Sequence, residues 1–276
     1  MRLGISSGLN YQNPQEWAAG LAALGCKSAI FPVDYRASIQ EIDAYAAAAK
    51  EHDLVIGEVG VWCNPLSAEP MAAREAMERC VEQLKLADYI GAACCVNITG
   101  AAGERWDGAY VDNFSIEFYE CIVDSIRRIL DEAQPKRTFY TIEPMPWMVP
   151  TGPKEYERLI RDVDRKQFAV HMDLANWMNA YDRFFWQVDF IDEVFDTLGG
   201  QIKSCHIKDV RLRPEFTFQL EEVACGEGSL DLEYYVSRIN EINPDMPVFI
   251  EHLGSDEAYR KSFAYLQNRM KSRGLL

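Results

Sequence analysis

Along this chain, short apolar runs alternate with longer amphipathic ones, about eight times over. The short runs are RLGIS (2–6), SAIFPV (28–33), VIGEVGV (55–61), CCVNITG (94–100), TFYTIE (138–143), FAVHMD (168–173), IKSCHIK (202–208) and PVFIEH (247–252). Most are rich in β-branched or aromatic residues and apolar on both faces, as parallel strands covered by helices are. The longer runs, at 14–25, 39–53, 70–91, 113–133, 154–163, 232–242 and 257–273, repeat apolar residues at helical spacing. Asn13-Pro14 and Ser255-Asp256 supply helix-start signals. Strand and helix alternating at this interval predict a single-domain (β/α)8 TIM barrel over residues 1–276. An open doubly wound sheet fits less well, because the first turn, SSGLNYQ, has no glycine-rich dinucleotide fingerprint.

Composition narrows the function classes. The formal charge of −15, with no basic run, opposes binding to nucleic-acid phosphates. No stretch is apolar enough for a membrane span, and the N-terminus lacks the apolar core of a signal peptide. The eight cysteines form no CxxC pair and no regular framework. A cytoplasmic protein without disulfides is expected.

A barrel places its chemistry where strands end and βα loops begin. Four consecutive strands deliver metal-ligating side chains there: Glu143, Asp173, His206 and Glu251. Neighbouring strands lie about 4.8 Å apart, so these side chains can meet at one point. Three carboxylates side by side raise one another's pKa and call for a cation. With one imidazole and no sulfur, the set suits Mn2+, Mg2+, Co2+ or Zn2+ rather than a structural zinc site.

The motifs TIEPMPW, HMDLANW, CHIKD, GEGSLD and FIEH resemble those of the xylose isomerase-like TIM barrel superfamily, the sugar phosphate isomerase/epimerase group. The resemblance runs from EVGVWCNPL (58–66) to the last strand. It implies that Glu143, Asp173, His206 and Glu251 bind one divalent cation, most often manganese. It also implies a small carbohydrate substrate. Glu143 and Glu251 would then exchange a proton next to a carbonyl, through a metal-stabilised enediolate. Isomerase or epimerase is the leading activity; an inosose-type dehydratase, which begins with the same enediolate, is the alternative. A non-catalytic sugar-binding protein is the reading from another class.

The pattern has departures. Ketose 3-epimerases of the superfamily carry histidine three residues after the strand-six aspartate, where this chain has Asn176, which orients but cannot supply a proton. Lys208 is the expected oxyanion partner, with Arg211 and Arg213 opening the next loop. Glu58 and Trp62 on strand three, and Trp147 beside Trp177, are expected to touch substrate or wall the pocket. An endonuclease IV-like activity needs more histidines than the four present; of these, His252 is expected to face away from the mouth and His171 to lie one layer below it. The aromatic stretch YDRFFWQVDF (181–190) suits a cover over the site or a homo-oligomer contact.

Overall fold

The computed structural model describes residues 1–6 and 9–275. Eight parallel strands form the barrel: β1 (Arg2–Ile5), β2 (Ser28–Ile30), β3 (Val55–Gly60), β4 (Cys94–Asn97), β5 (Tyr140–Ile142), β6 (Phe168–Asp173), β7 (Ile202–Ile207) and β10 (Pro247–Ile250). Hydrogen-bonded pairing runs β1-β10-β7-β6-β5-β4-β3-β2. The remaining seam is bridged by Lys27 N–H donating to Leu3 O at 2.8 Å and Ser28 Oγ donating to Arg2 O at 2.8 Å. The fold is a TIM barrel, as the alternation predicted.

The barrel floor is packed around Phe249, which is fully buried. Gly57 and Gly4 make room for it: a Cβ on either would lie 2.6 or 2.8 Å from its ring. Such close packing leaves the floor no pore and confines open space to the strand ends.

Helices α1 (Pro14–Leu24), α2 (Ile39–Glu51), α3 (Pro70–Ile90), α4 (Ile116–Ala133) and α5 (Pro153–Val163) surround the first half. The Asn13 side chain caps α1 by accepting from Glu16 N, with Pro14 in the first turn. The stretch 181–190, expected as an aromatic connection, instead opens two helices, α6 (Tyr181–Phe185) and α7 (Gln187–Leu198). Its Phe184 and Phe190 are buried, while Phe185 and Trp186 remain exposed. Helices α8 (Leu232–Ile242) and α9 (Asp256–Ser272) complete the ring, with Ser255 capping α9.

Two local expectations change. Residues 113–115 do not belong to the α-helix expected over 113–133: a 3-10 helix over Val111–Phe114 precedes it, and Ser115 caps α4. The segment expected to be a loop from Arg211 and Arg213 onward contains a hairpin, β8 (Asp209–Leu212) with antiparallel β9 (Leu220–Val223). Beyond it, the Asp209 carboxylate accepts from Gly226, Gly228 and Leu230 N–H at 2.9–3.1 Å and folds GEGS against the barrel. A Cβ on Gly228 would lie 2.1 Å from Asp209 Oδ1, so this turn requires glycine.

Candidate metal centre

The end of β5 is fixed before Glu143 begins: Tyr156 donates its hydroxyl hydrogen to Ile142 O at 2.7 Å, and Glu143 N donates to Asn97 O at 2.8 Å. Asp173 and His206 are register partners at the ends of β6 and β7. Glu251 follows the last residue of β10. The fold thus brings these four strand-end residues together, and one ligand atom from each lies within 4.8 Å of the others. All four are buried.

His206 organises the cluster. Its Nδ1 lies 3.0 Å from Glu251 Oε1, 3.3 Å from Glu143 Oε2 and 4.0 Å from Asp173 Oδ2. Its Nε2 lies 3.3 Å from Glu58 Oε2 on the opposite side. With a cation bound, a proton held at Nε2 by Glu58 would leave the Nδ1 lone pair aimed at it, an arrangement common behind metal-bound histidines. His206 Nδ1 is buried without a hydrogen-bond partner, while Asp173 Oδ2 and Glu251 Oε1 each meet the ammonium of Lys208. One unpartnered imidazole nitrogen and carboxylate oxygens that already gather a cationic side chain form a convergent hard-donor set suited to a divalent cation.

Cationic side chains oppose this negative charge. Lys208 Nζ pairs as an ion with both Asp173 Oδ2 and Glu251 Oε1 at 2.7 Å, and donates to Asn176 Oδ1 at 3.2 Å. Burial lowers the His206 pKa, but Glu251, Glu58 and Glu143 outweigh it and hold the imidazole well above its ordinary value. Burial likewise pushes Glu251 up, yet His206 and Lys208 bring its carboxyl well below the ordinary range. Burial raises Asp173 despite the opposing pull of Lys208, and it raises Glu58 against His206.

Other expected site residues take different places. Asn176 donates through Nδ2 to Glu143 Oε1 at 2.9 Å and to Pro144 O at 3.0 Å, so it orients a cluster carboxylate. Glu58 was expected to touch substrate, but it is fully buried beneath His206 and reaches His171 Nδ1 at 3.3 Å. Arg211 pairs with Glu221 across the hairpin, away from the cluster. Trp147 donates its indole N–H to Asp107 O at 2.7 Å and clamps the neighbouring segment. Trp177 is wholly buried against Tyr156 and Phe190, with its N–H on Pro150 O, so it forms core rather than pocket wall.

Above the cluster opens a cavity of about 490 Å3, lined by Ile30, Trp62, Ile98, Trp106 and Met145 beside Glu143, His206 and Glu251. Trp62 stacks on His206 with ring centroids 6.5 Å apart. Its φ of 51° turns the indole back over Gly60, where a Cβ would meet Nε1 at 2.3 Å. Trp106 was missed in the sequence because its segment, 101–110, has no periodic pattern. Buried Asn113 fixes that segment by accepting from Ala102 N at 2.8 Å and donating to Gly108 O and Trp147 O. His252 corrects another expectation. Its φ of 59° breaks strand alternation, so the ring lines the cavity instead of facing away. It pairs with Glu222 Oε2 at 2.9 Å and lies 3.6 Å from Glu251 Oε2.

Comparison with known proteins decides the family. The sequence family described as "Xylose isomerase-like TIM barrel" matches residues 19–269. The chain belongs to it. Within this xylose isomerase-like family, relatives differ in activity. A probable endonuclease 4 from Akkermansia muciniphila is 22% identical over 216 residues, 76% of this chain and 74% of that protein. Endonuclease IV from Thermus thermophilus superposes with a TM-score of 0.74 at 16% identity, covering 99% of this chain and 100% of that one. A 3-keto-D-glucoside 4-epimerase from E. coli superposes with a TM-score of 0.71 at 16% identity, over 97% and 99% of the two chains. At these identities the structural likenesses speak for the barrel, and the site must speak for the chemistry.

Proposed function

We propose that this xylose isomerase-like barrel is a divalent-metal-dependent isomerase or epimerase of an unphosphorylated sugar or sugar derivative. The observation that carries the reading is the convergence of Glu143, Asp173, His206 and Glu251 beneath an apolar-walled cavity. In this reading those four residues hold the cation, with manganese the leading candidate. Bound there, a divalent cation polarises a carbonyl and makes negative charge on the adjacent oxygens less costly.

The remaining work falls to the chain. Glu143 and Glu251 are the proton carriers, since each adjoins the cavity and each has an oxygen near His206 Nδ1. Asn176 holds Glu143, and Lys208 holds Glu251 and Asp173, so neither carrier swings freely. Trp62 and Trp106 offer faces for the C–H surface of a sugar ring and exclude water from the proton-transfer site.

The wall also speaks against a phosphorylated substrate. Among the described residues lining the cavity there is no Lys or Arg, although Asp107 at its edge is paired with Arg105. A phosphate ester would meet no ammonium or guanidinium in that lining, and the His252 ring there is already paired with Glu222. The same wall, together with the net charge of −15, weighs against the endonuclease reading that the Akkermansia muciniphila relative suggests, because DNA binding rests on cationic contacts to phosphates.

The proposal treats the chain as one catalytic domain acting in the cytoplasm. All eight cysteines are free thiols, which suits a reducing compartment, and no helix among the described residues is long and apolar enough to cross a membrane. Exposed Phe185, Trp186 and Phe216 suit contact with a second copy.

Metal-loaded protein is tested by incubation in D2O with ketoses, inososes and labelled duplex DNA. Deuterium entering next to the carbonyl without loss of water is the expected result. Water loss with an enone absorbance would make it a dehydratase. Cleaved DNA without any sugar exchange would overturn the reading.

A further inference from the structure

Cys63 directly follows the pocket tryptophan Trp62, and its Sγ lies 3.7 Å from Cys80 Sγ on helix α3. Cys63 is partly exposed, whereas Cys80 is buried. A single side chain bridges the two: Asn97 aims Nδ2 at Cys80 Sγ (3.5 Å) and Cys63 Sγ (3.9 Å), while its Oδ1 accepts from Cys63 N at 3.1 Å. Tyr140 donates its hydroxyl hydrogen to Cys80 Sγ at 3.7 Å. Asn97 thus holds the two touching sulfurs in place, with Cys63 the more accessible of them and its Sγ also directed at Ala76 O at 3.5 Å. The Cys80 thiol, with Arg79 nearby, brings the Cys63 pKa below its ordinary value against the effect of burial. Elsewhere burial prevails in the other direction: it pushes the thiols of Cys26, Cys94 and Cys225 up to about 12 and raises that of Cys205 as well.

We propose that Cys63 and Cys80 are a peroxide-sensitive thiol pair that closes to a disulfide and resets the Trp62 wall of the pocket. Cys63 thiolate attacks one oxygen of hydrogen peroxide; an S–O bond forms, the O–O bond breaks, and the departing hydroxide takes up the proton that Cys63 released on ionising and leaves as water. The resulting sulfenic acid is attacked by Cys80 sulfur. The S–S bond forms, the S–O bond breaks, and the departing hydroxide takes the Cys80 proton away as water. Two thiols lose two electrons in all, and peroxide becomes two waters.

Closing the pair brings the sulfurs from 3.7 Å to about 2.05 Å. Cys80 sits within a long, packed helix, so Cys63 makes the movement. Trp62 moves with it, because the two residues share a peptide bond and Trp62 already holds a strained φ of 51°. The stacking of Trp62 on His206 is the contact that changes.

The test uses full-length protein with Cys121, the exposed cysteine, changed to Ser. Stoichiometric hydrogen peroxide should remove two thiols and about 2 Da per chain, join the peptides containing Cys63 and Cys80, and be reversed by dithiothreitol. Cys80→Ser should leave Cys63 as a sulfenic acid trapped by dimedone. The tryptophan emission change that accompanies oxidation should vanish in Trp62→Phe. Cross-linking elsewhere, or Cys63 passing straight to sulfinic acid in the parent, would overturn the pair. A disulfide that leaves Trp62 emission unchanged would overturn its link to the pocket.

Discussion

The ammonium of Lys208 lies 2.7 Å from Glu251 Oε1, although both residues are buried. It sits equally close to Asp173 Oδ2, so one lysine partners two members of the proposed metal cluster. Removing one partner of a buried ion pair costs about 3–5 kcal/mol, because the other charge stays behind uncompensated. Lys208→Met should therefore lower the melting temperature of chelator-treated protein markedly. Manganese should restore much of the loss by occupying the same negative centre, which thermal unfolding with and without the metal will show.

Glu58 should act on the metal through His206. With Glu58→Ala the buried Nε2–H loses its partner and the ring loses its orientation. Manganese affinity measured by calorimetry should fall roughly 10–100-fold, while Glu58→Gln, which can still accept a hydrogen bond, should lose less.

Asn113 should act on the pocket wall. Its three hydrogen bonds fix the segment that carries Trp106 and Asp107. Asn113→Ala should cost roughly 1–3 kcal/mol in chemical denaturation. If the proposed sugar reaction holds, it should also raise KM more than it lowers kcat.

The barrel was readable in the sequence because doubly covered parallel strands are continuous apolar runs with helical patterns between them. Glu143, Asp173, His206 and Glu251 stood out because each interrupts such a run at its end. Depth and backbone sign were not readable. Glu58 shares a strand face with pocket residues, and only the packing reveals that it lies below His206. His252 obeys no alternation rule, since a left-handed residue turns the chain. The hairpin at β8–β9 hid within a charged stretch whose strands form no part of the barrel. Trp106 depends on Asn113, a contact between positions that no periodicity connects.

Acid sensitivity should include a contribution at the opposite end of the barrel. Hydrogen bonds from Lys27 and Arg2 hold the Asp53 carboxyl below its ordinary value. A depressed carboxylate stabilises the fold above the unfolded pKa of about 3.9 and loses that contribution as pH falls through the folded value. Asp53→Asn keeps a residue type tolerant of the φ of 54°. It should be less stable than wild type at pH 6, and the difference should shrink to nothing in acid. Because the group is exposed, added salt should reduce the difference as well.

The metal centre itself is tested most directly by anomalous diffraction at the manganese edge from crystals grown with that metal. The account predicts one peak, about 2.0–2.3 Å from His206 Nδ1 and from carboxylate oxygens of Glu143, Asp173 and Glu251. No peak there, or a peak among Glu58, His171 and His206 Nε2, a second acidic and histidine cluster of suitable spacing among the described residues, would contradict it.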